Sequence, residues 1–136
     1  MGKPVAPKKD MAMAFPDVCK TPTPVGTIPI PYPNIAQFSN ATGVSDEGGK
    51  ELLVGGNHVL LKDSNVSSSN GDEAGSSGGV KSGGVSGPCT IIQASGSVKY
   101  GPDGLGLARV TDQTEQNDGN AVGFVLSAEP AVLVGD

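Results

Sequence analysis

The chain has 136 residues, a formal net charge of −5, 4% aromatic residues and no Trp, which is the length of one domain and leaves little material for a thick hydrophobic core. The acidic balance, with no basic cluster beyond Lys3, Lys8 and Lys9, removes the electrostatic footprint of a nucleic-acid binder. No apolar run approaches the roughly 20 residues of a membrane-spanning helix, and two cysteines are too few for a disulfide scaffold.

Residues 1–14, MGKPVAPKKDMAMA, mix small and charged side chains without periodicity and predict a flexible N-terminal arm. They lack the long apolar run of a secretory signal, so the protein is expected in the cytoplasm of the cell that makes it. Residues 15–136 are expected to form a single domain.

That domain opens on FPDVCKTPTPVGTIPIPYPNIAQ, Phe15 to Gln37, with six prolines in twenty-three residues. Each X-Pro pair keeps the preceding residue out of the helical region. The stretch is therefore extended or polyproline II, and is expected to lie along the surface outside any central sheet. Phe15, Pro29, Pro31, Tyr32, Pro33 and Asn34 are the candidate residues of a structural clasp, a stiff segment bracing a body with little core. Ile28, Ile30 and Ile35 favour packing, while TPTP and PIPYP leave open a role as ligand for an SH3-like groove.

From Leu52 the pattern turns to hairpins. ELLVGGNHVLLKD carries apolar runs on both sides of Gly55-Gly56-Asn57, residues that supply the positive φ of a tight turn. SNVSSSNGDEAGSSGGVKSGGVSG reads as a flexible linker on composition, although Ser69 or Asn70 is of the type that caps a helical turn, here over Asp72-Glu73-Ala74. Asp72 and Glu73 then read as a cap or a solvated acid pair, not as a general acid and base. SVKYGPDGLGLARVTD turns at Gly101 to Gly104, and GFVLSAEPAVLVGD is expected to turn around Ser127 to Pro130.

Three hairpins ending in VLLKD, LARVTD and VLVGD place Asp63, Asp112 and Asp136 alike. No hairpin is stable alone in water, so the repetition predicts approximate internal threefold symmetry, each unit giving one apolar face to a shared axis. The fold expected is mainly β: a small tapered body of β-hairpins, braced by the extended Pro-rich segment.

FPDVCKTP, PIPYPNIA, VLLKDS and SNGDEAGS, in that order, resemble the PAAR-like proteins of the PIPY type, which cap the central spike of type VI secretion systems and related contractile injection machines. The likeness runs from about Phe15 to Gly75, continues more weakly through GSVKY and LARVTD, and fades after Asp112. The resemblance implies a small, non-enzymatic cone seated on a trimeric VgrG-like spike, with its vertex in transient contact with the target membrane, aiding puncture and effector delivery. One tip would serve one trimer, be monomeric when free, and leave the cell with the apparatus. Asp63, Asp112 and Asp136 would lie at the spike-binding base. Two alternatives stand beside this: a secreted effector or small hydrolase carried on the spike, and a free-standing β-structured adhesion module. PAAR cones hold zinc with three His and one Cys, a set this chain does not contain, since His58 is its single histidine. Cys19, His58 and Cys89 are the remaining candidate zinc ligands, without a C-x₂-C pair to bring any two together, so no cofactor is expected.

Overall fold

Antiparallel strands account for about half of the protein. The computed structural model describes residues 2–46 and 51–136. In chain order the strands are β1 (Lys3–Val5), β2 (Met11–Thr23), β3 (Gly26–Gln37), β4 (Ala41–Thr42), β5 (Leu53–Val54), β6 (Asn57–His58), β7 (Asn65–Val66), β8 (Cys89–Ile91), β9 (Lys99–Tyr100), β10 (Leu105–Gly106), β11 (Gln113–Gln116), β12 (Ala121–Val125) and β13 (Glu129–Val134). Seven of them form one sheet in the order β3-β2-β12-β11-β8-β7-β4, and the other six form three two-stranded ribbons, β1-β13, β5-β6 and β9-β10. A single 3-10 turn, Phe38–Asn40, is the only helical piece among the described residues.

The Pro-rich stretch is not an external strap. It is the long β2–β3 hairpin, paired from Met11↔Gln37 to Thr23↔Gly26 with one bulge between Ala14 and Asp17, where Pro16 sits. Backbone direction explains how a sheet accepts so many prolines. Ile35 exchanges both of its backbone hydrogen bonds with Asn70, on the side away from β2. Residues of the same parity on β3, namely Pro29, Pro31 and Pro33, therefore also turn their backbone outward, where a missing N–H breaks no bond to β2. The intervening Ile28, Ile30 and Tyr32 face Thr21, Cys19 and Asp17 across the ladder. Polyproline II, and with it the SH3-ligand geometry, does not occur here.

Residues 2–14 correct the expectation of a flexible arm over 1–14. Val5, Ala6, Ala12 and Ala14 are fully buried, and Ala6 belongs to a closed ring of backbone hydrogen bonds. Ala6 N–H donates to Ala108 O (2.9 Å), Ala108 N–H to Leu60 O (2.8 Å), and Leu60 N–H to Ala6 O (2.9 Å). A second ring surrounds the first: Lys8 N–H to His58 O, Lys62 N–H to Gly106 O and Val110 N–H to Pro4 O. The bridges Pro7↔Val59, Leu61↔Leu107 and Val5↔Arg109 repeat the same cycle. The three segments meeting here are PVAPKKD, HVLLKDS and GLARVTD.

This arrangement also corrects the third hairpin. β12 pairs with β11 and β2, not with β13, and β13 pairs with β1, so the third ribbon joins the two ends of the chain. The hairpins at Gly55-Gly56 and at residues 101–104 form as expected. The turn of β11–β12 lies at residues 117–120, with Asn117, Asp118 and Gly119 all at positive φ.

Two apolar clusters support the rings. One, beneath the sheet, is rich in Ala and contains Phe38, Leu60, Ile91 and Val125. The other lies under the ribbons: Val5, Val54, Val59, Leu61, Leu107 and Val134, with Tyr100 and Leu105 packed against it. The core is thin, as the low aromatic content requires, and complete burial of Phe38 contributes roughly 2–3 kcal/mol.

Candidate functional site

Where β2 leaves the ring, its inward residues change from alanine to polar groups. Asp17, Cys19, Asn34, Asp72, Gln116 and Asn117 are all fully buried, and they form one hydrogen-bonded cluster. Asn34 Nδ2 donates to Asp17 Oδ2 (3.1 Å), Ser69 Oγ (2.8 Å) and Asp72 Oδ2 (3.5 Å). Gln116 Nε2 donates to Asn34 Oδ1 (2.7 Å) and Asn34 O (2.9 Å). Asp17 Oδ1 accepts from Asn117 Nδ2 (3.2 Å) and, at short range, from Asn120 Nδ2. The backbone N–H and hydroxyl of Ser86 both donate to Asp72.

The segment 65–88 is not a linker. It folds over this cluster as ordered turns, bonded to β2 through Lys20 N–H to Gly78 O, Ser77 N–H to Lys20 O and Val80 N–H to Val18 O. Its small residues permit the approach. A Cβ at Gly75 would overlap Cys19, and one at Gly79 would overlap the Asn120 side chain. No helical turn forms over Asp72-Glu73-Ala74, because Ser69 and Asp72 direct their side chains into the cluster instead of to local amides. Glu73 bonds the Gly71 N–H at the surface, so Asp72 and Glu73 are not a solvated pair.

Burial dominates the electrostatics. It is the first cause raising Asp72 from its ordinary 3.8 to about 6, followed by hydrogen bonding and charge from Asp17, with Ser86 pulling the other way. Burial, then Asp17, pushes the Cys19 thiol up to about 12, which keeps it protonated and able to donate.

The candidate zinc set is not assembled. Cys19 lies in the polar cluster, Cys89 in the apolar core beside Ile91 and Val66, and His58 on the β6 ribbon, its Nε2 3.8 Å from Glu51 Oε2. Among the described residues, the group able to offer three ligand atoms within 4.8 Å is Asp17, Cys19 and Asp72. Their oxygens already accept from Asn34, Asn117, Asn120 and Ser86, and the set contains no imidazole. The donor set thus fits a hydrogen-bonded tie better than the zinc site of the fold.

The expected clasp divides in two. Phe15 is 61% exposed and Pro29, Pro31 and Pro33 are exposed on the edge, so none of them anchors the segment. Asn34 does, at the centre of the cluster, and half-buried Tyr32 bonds Thr21 Oγ1 (2.7 Å).

Nor do the three aspartates occupy one place. Asp63 is exposed with φ 69°. Asp112 is buried, its carboxylate gripping the Arg109 backbone N–H, Nε and NH2 at 2.8–3.0 Å. Asp136 is exposed and reaches Arg109 NH1 at 3.2 Å. The hydrogen bonds match Ser64 to Asp112, since Leu61 N–H donates to Ser64 Oγ as Arg109 N–H donates to Asp112. Asp10 is their counterpart after Pro7, and Pro7 has no N–H to give. Asp10 Oδ2 is accordingly buried without a partner among the described residues, while Oδ1 accepts from Ser127 Oγ (2.9 Å).

The motifs of the sequence thus converge. DVC supplies Asp17 and Cys19, PN supplies Asn34, and SNGDEAG supplies Ser69, Asp72 and Gly75. The pattern of the toxin PAAR-like domain matches residues 10–123. The chain belongs to the toxin PAAR-like domain family. All the carboxylates and amides of the buried cluster lie within the PAAR-like match, whereas the β1–β13 ribbon lies outside it. Comparison of this PAAR-like chain with curated proteins and with solved structures gave no match.

Sequence reasoning missed Gln116, Asn117, Asn120 and Ser86. QNDGN at 116–120 carried a turn signal, two Asn, an Asp and a Gly in five residues, but nothing in it announced that the amides point inward.

Proposed function

We propose that the protein is a non-enzymatic tip that caps a trimeric, VgrG-like spike of a type VI secretion or related contractile injection apparatus and leaves the cell with it. The observation carrying this reading is the closed cycle of hydrogen bonds through Ala6, Leu60 and Ala108, from which three ribbons diverge. One chain would meet a true trimer through three near-equivalent faces, and the cycle of three segments supports that reading. Two ribbons expose Leu53 (47%) and Leu133 (62%) at matching ladder positions, opposite His58 and Pro4, and the third carries exposed Lys99 opposite Gly106, which would give such a base an apolar surface with one cation. A hydrolase reading finds less support, because Asp72 and Cys19 are sealed from any substrate.

Native mass spectrometry of the protein mixed with a trimeric spike tests the proposal. One tip per three spike chains is expected, with a monomeric free tip, and Leu53→Asp together with Leu133→Asp should weaken the complex while leaving the far-UV spectrum unchanged. A three-to-three complex, or an isolated tip homotrimer, would remove the reading.

A further inference from the structure

An antiparallel sheet with one face in water ordinarily alternates apolar side chains inward with polar ones outward. The outer face of β2, β12 and β11 departs from this. Met13, Phe15, Val122 and Phe124 line an open groove of about 590 Å³ there, and Phe15 (61%), Val122 (59%) and Phe124 (43%) are well exposed. Thr111 and Gln113 supply its polar groups, and no charged side chain among the described residues lines it.

Two local features shape this surface. The bulge of β2 keeps both Ala14 and Asp17 buried, which turns Phe15 and Pro16 outward together. Thr111 is held at φ 69°, a left-handed conformation that strains a β-branched side chain. The matching turn position, before Ser64, carries Asp63 at the same φ, and Asp tolerates that conformation. Thr111 is fixed by its N–H to Val125 O (2.9 Å), yet its hydroxyl and the Gln113 side-chain amide have no partner among the described residues. Strain of this kind collects where a side chain must be presented to a ligand.

The lining selects a chemistry. It offers no ion pair to a phosphate, a uronate or a charged peptide, whereas exposed rings beside uncharged donors and acceptors suit a pyranose. The C–H face of the sugar lies against the negative face of an aromatic ring, and the groups at its rim bond to Thr111 and Gln113. Acetamido methyl groups suit the space beside Met13 and Val122, where a hydroxyl would lose its water unpaired.

We infer that this groove binds a neutral oligosaccharide of N-acetylated hexosamines, with Phe15 and Phe124 as stacking platforms. The inference uses the outer sheet face alone and stands whether or not the ribbons cap a spike.

Saturation-transfer NMR of the full chain with millimolar tetra-N-acetylchitotetraose tests it. The acetamido methyl and ring protons should receive saturation from the protein, and cellotetraose, which has no acetamido group, should receive much less. Phe124→Ala should weaken binding about tenfold. Thr111→Gly separates binding from folding, because glycine suits φ 69°: the melting temperature should hold while affinity falls severalfold. Far-UV spectra establish that each variant is folded. No saturation of the acetylated sugar by the folded native chain, which is also the result if the groove docks another protein, overturns the inference. So does equal saturation of cellotetraose, or unaltered affinity in folded Phe124→Ala or Thr111→Gly.

Discussion

Replacing Asn34 by Ala removes the one side chain that joins β3, β2, the segment 65–88 and β11 at a single point. Its amide donates to Asp17, Ser69 and Asp72, and its oxygen accepts from Gln116. A hydrogen bond to a charged group is worth about 1.5–3 kcal/mol and a neutral one about 0.5–1.5 kcal/mol. Gln116 keeps a second acceptor in the Asn34 backbone carbonyl, which softens its loss, and the weak 3.5 Å contact to Asp72 adds little. The expected cost is about 3–4 kcal/mol, at the upper end of single substitutions. For a domain of this size that lowers the melting temperature by about 10–15 °C. Urea unfolding followed by circular dichroism at neutral pH measures it, with Gln37→Ala, exposed on the same strand, as a control expected within about 0.5 kcal/mol. A loss below about 1 kcal/mol at unchanged m value would mean that the cluster does not tie these segments together.

The same cluster gives the protein a pH signature. Because Asp72 is raised in the folded state from 3.8 to about 6, the folded chain holds a proton that the unfolded chain has released. The stability this group contributes is complete below about pH 3.8 and is lost as pH rises through 6. Urea midpoints compared across this window should converge differently for the native chain and Asp72→Asn, the native chain losing more stability with rising pH; parallel profiles would contradict the assignment. At the ring turns, Asp112→Ala should cost about 3–5 kcal/mol, since it takes the buried carboxylate from Arg109 and leaves only exposed Asp136 and the Gly135 carbonyl on NH1. Asp10→Ala removes one part-buried bond, from the Ser127 hydroxyl to Oδ1, together with an oxygen that has no partner among the described residues, and should cost about 1.5–2 kcal/mol. Equal losses of melting temperature would refute the difference between the two turns.

Turn chemistry and strand alternation are properties of a few neighbouring residues, and these were legible in the chain by itself: the mainly β class, the turn at Gly55-Gly56 and the turn from Gly101 to Gly104. The prolines of Phe15 to Gln37 announced extended chain, but only pairing with β2 decided that the nitrogens of Pro29, Pro31 and Pro33 face an open edge. VLVGD imitated a third repeat because it shares an apolar run and a final Asp, whereas the segment that closes the ring, PVAPKKD, has no strand pattern of its own and becomes one third of a cycle only when His58 and Ala108 offer it partners. The buried cluster was equally hidden. Its bonds join residues as far apart as Asp17 and Asn120, and Asn, Ser and Gly carry the same local signal whether they turn toward water or, as here, toward one another beneath a layer of packed chain.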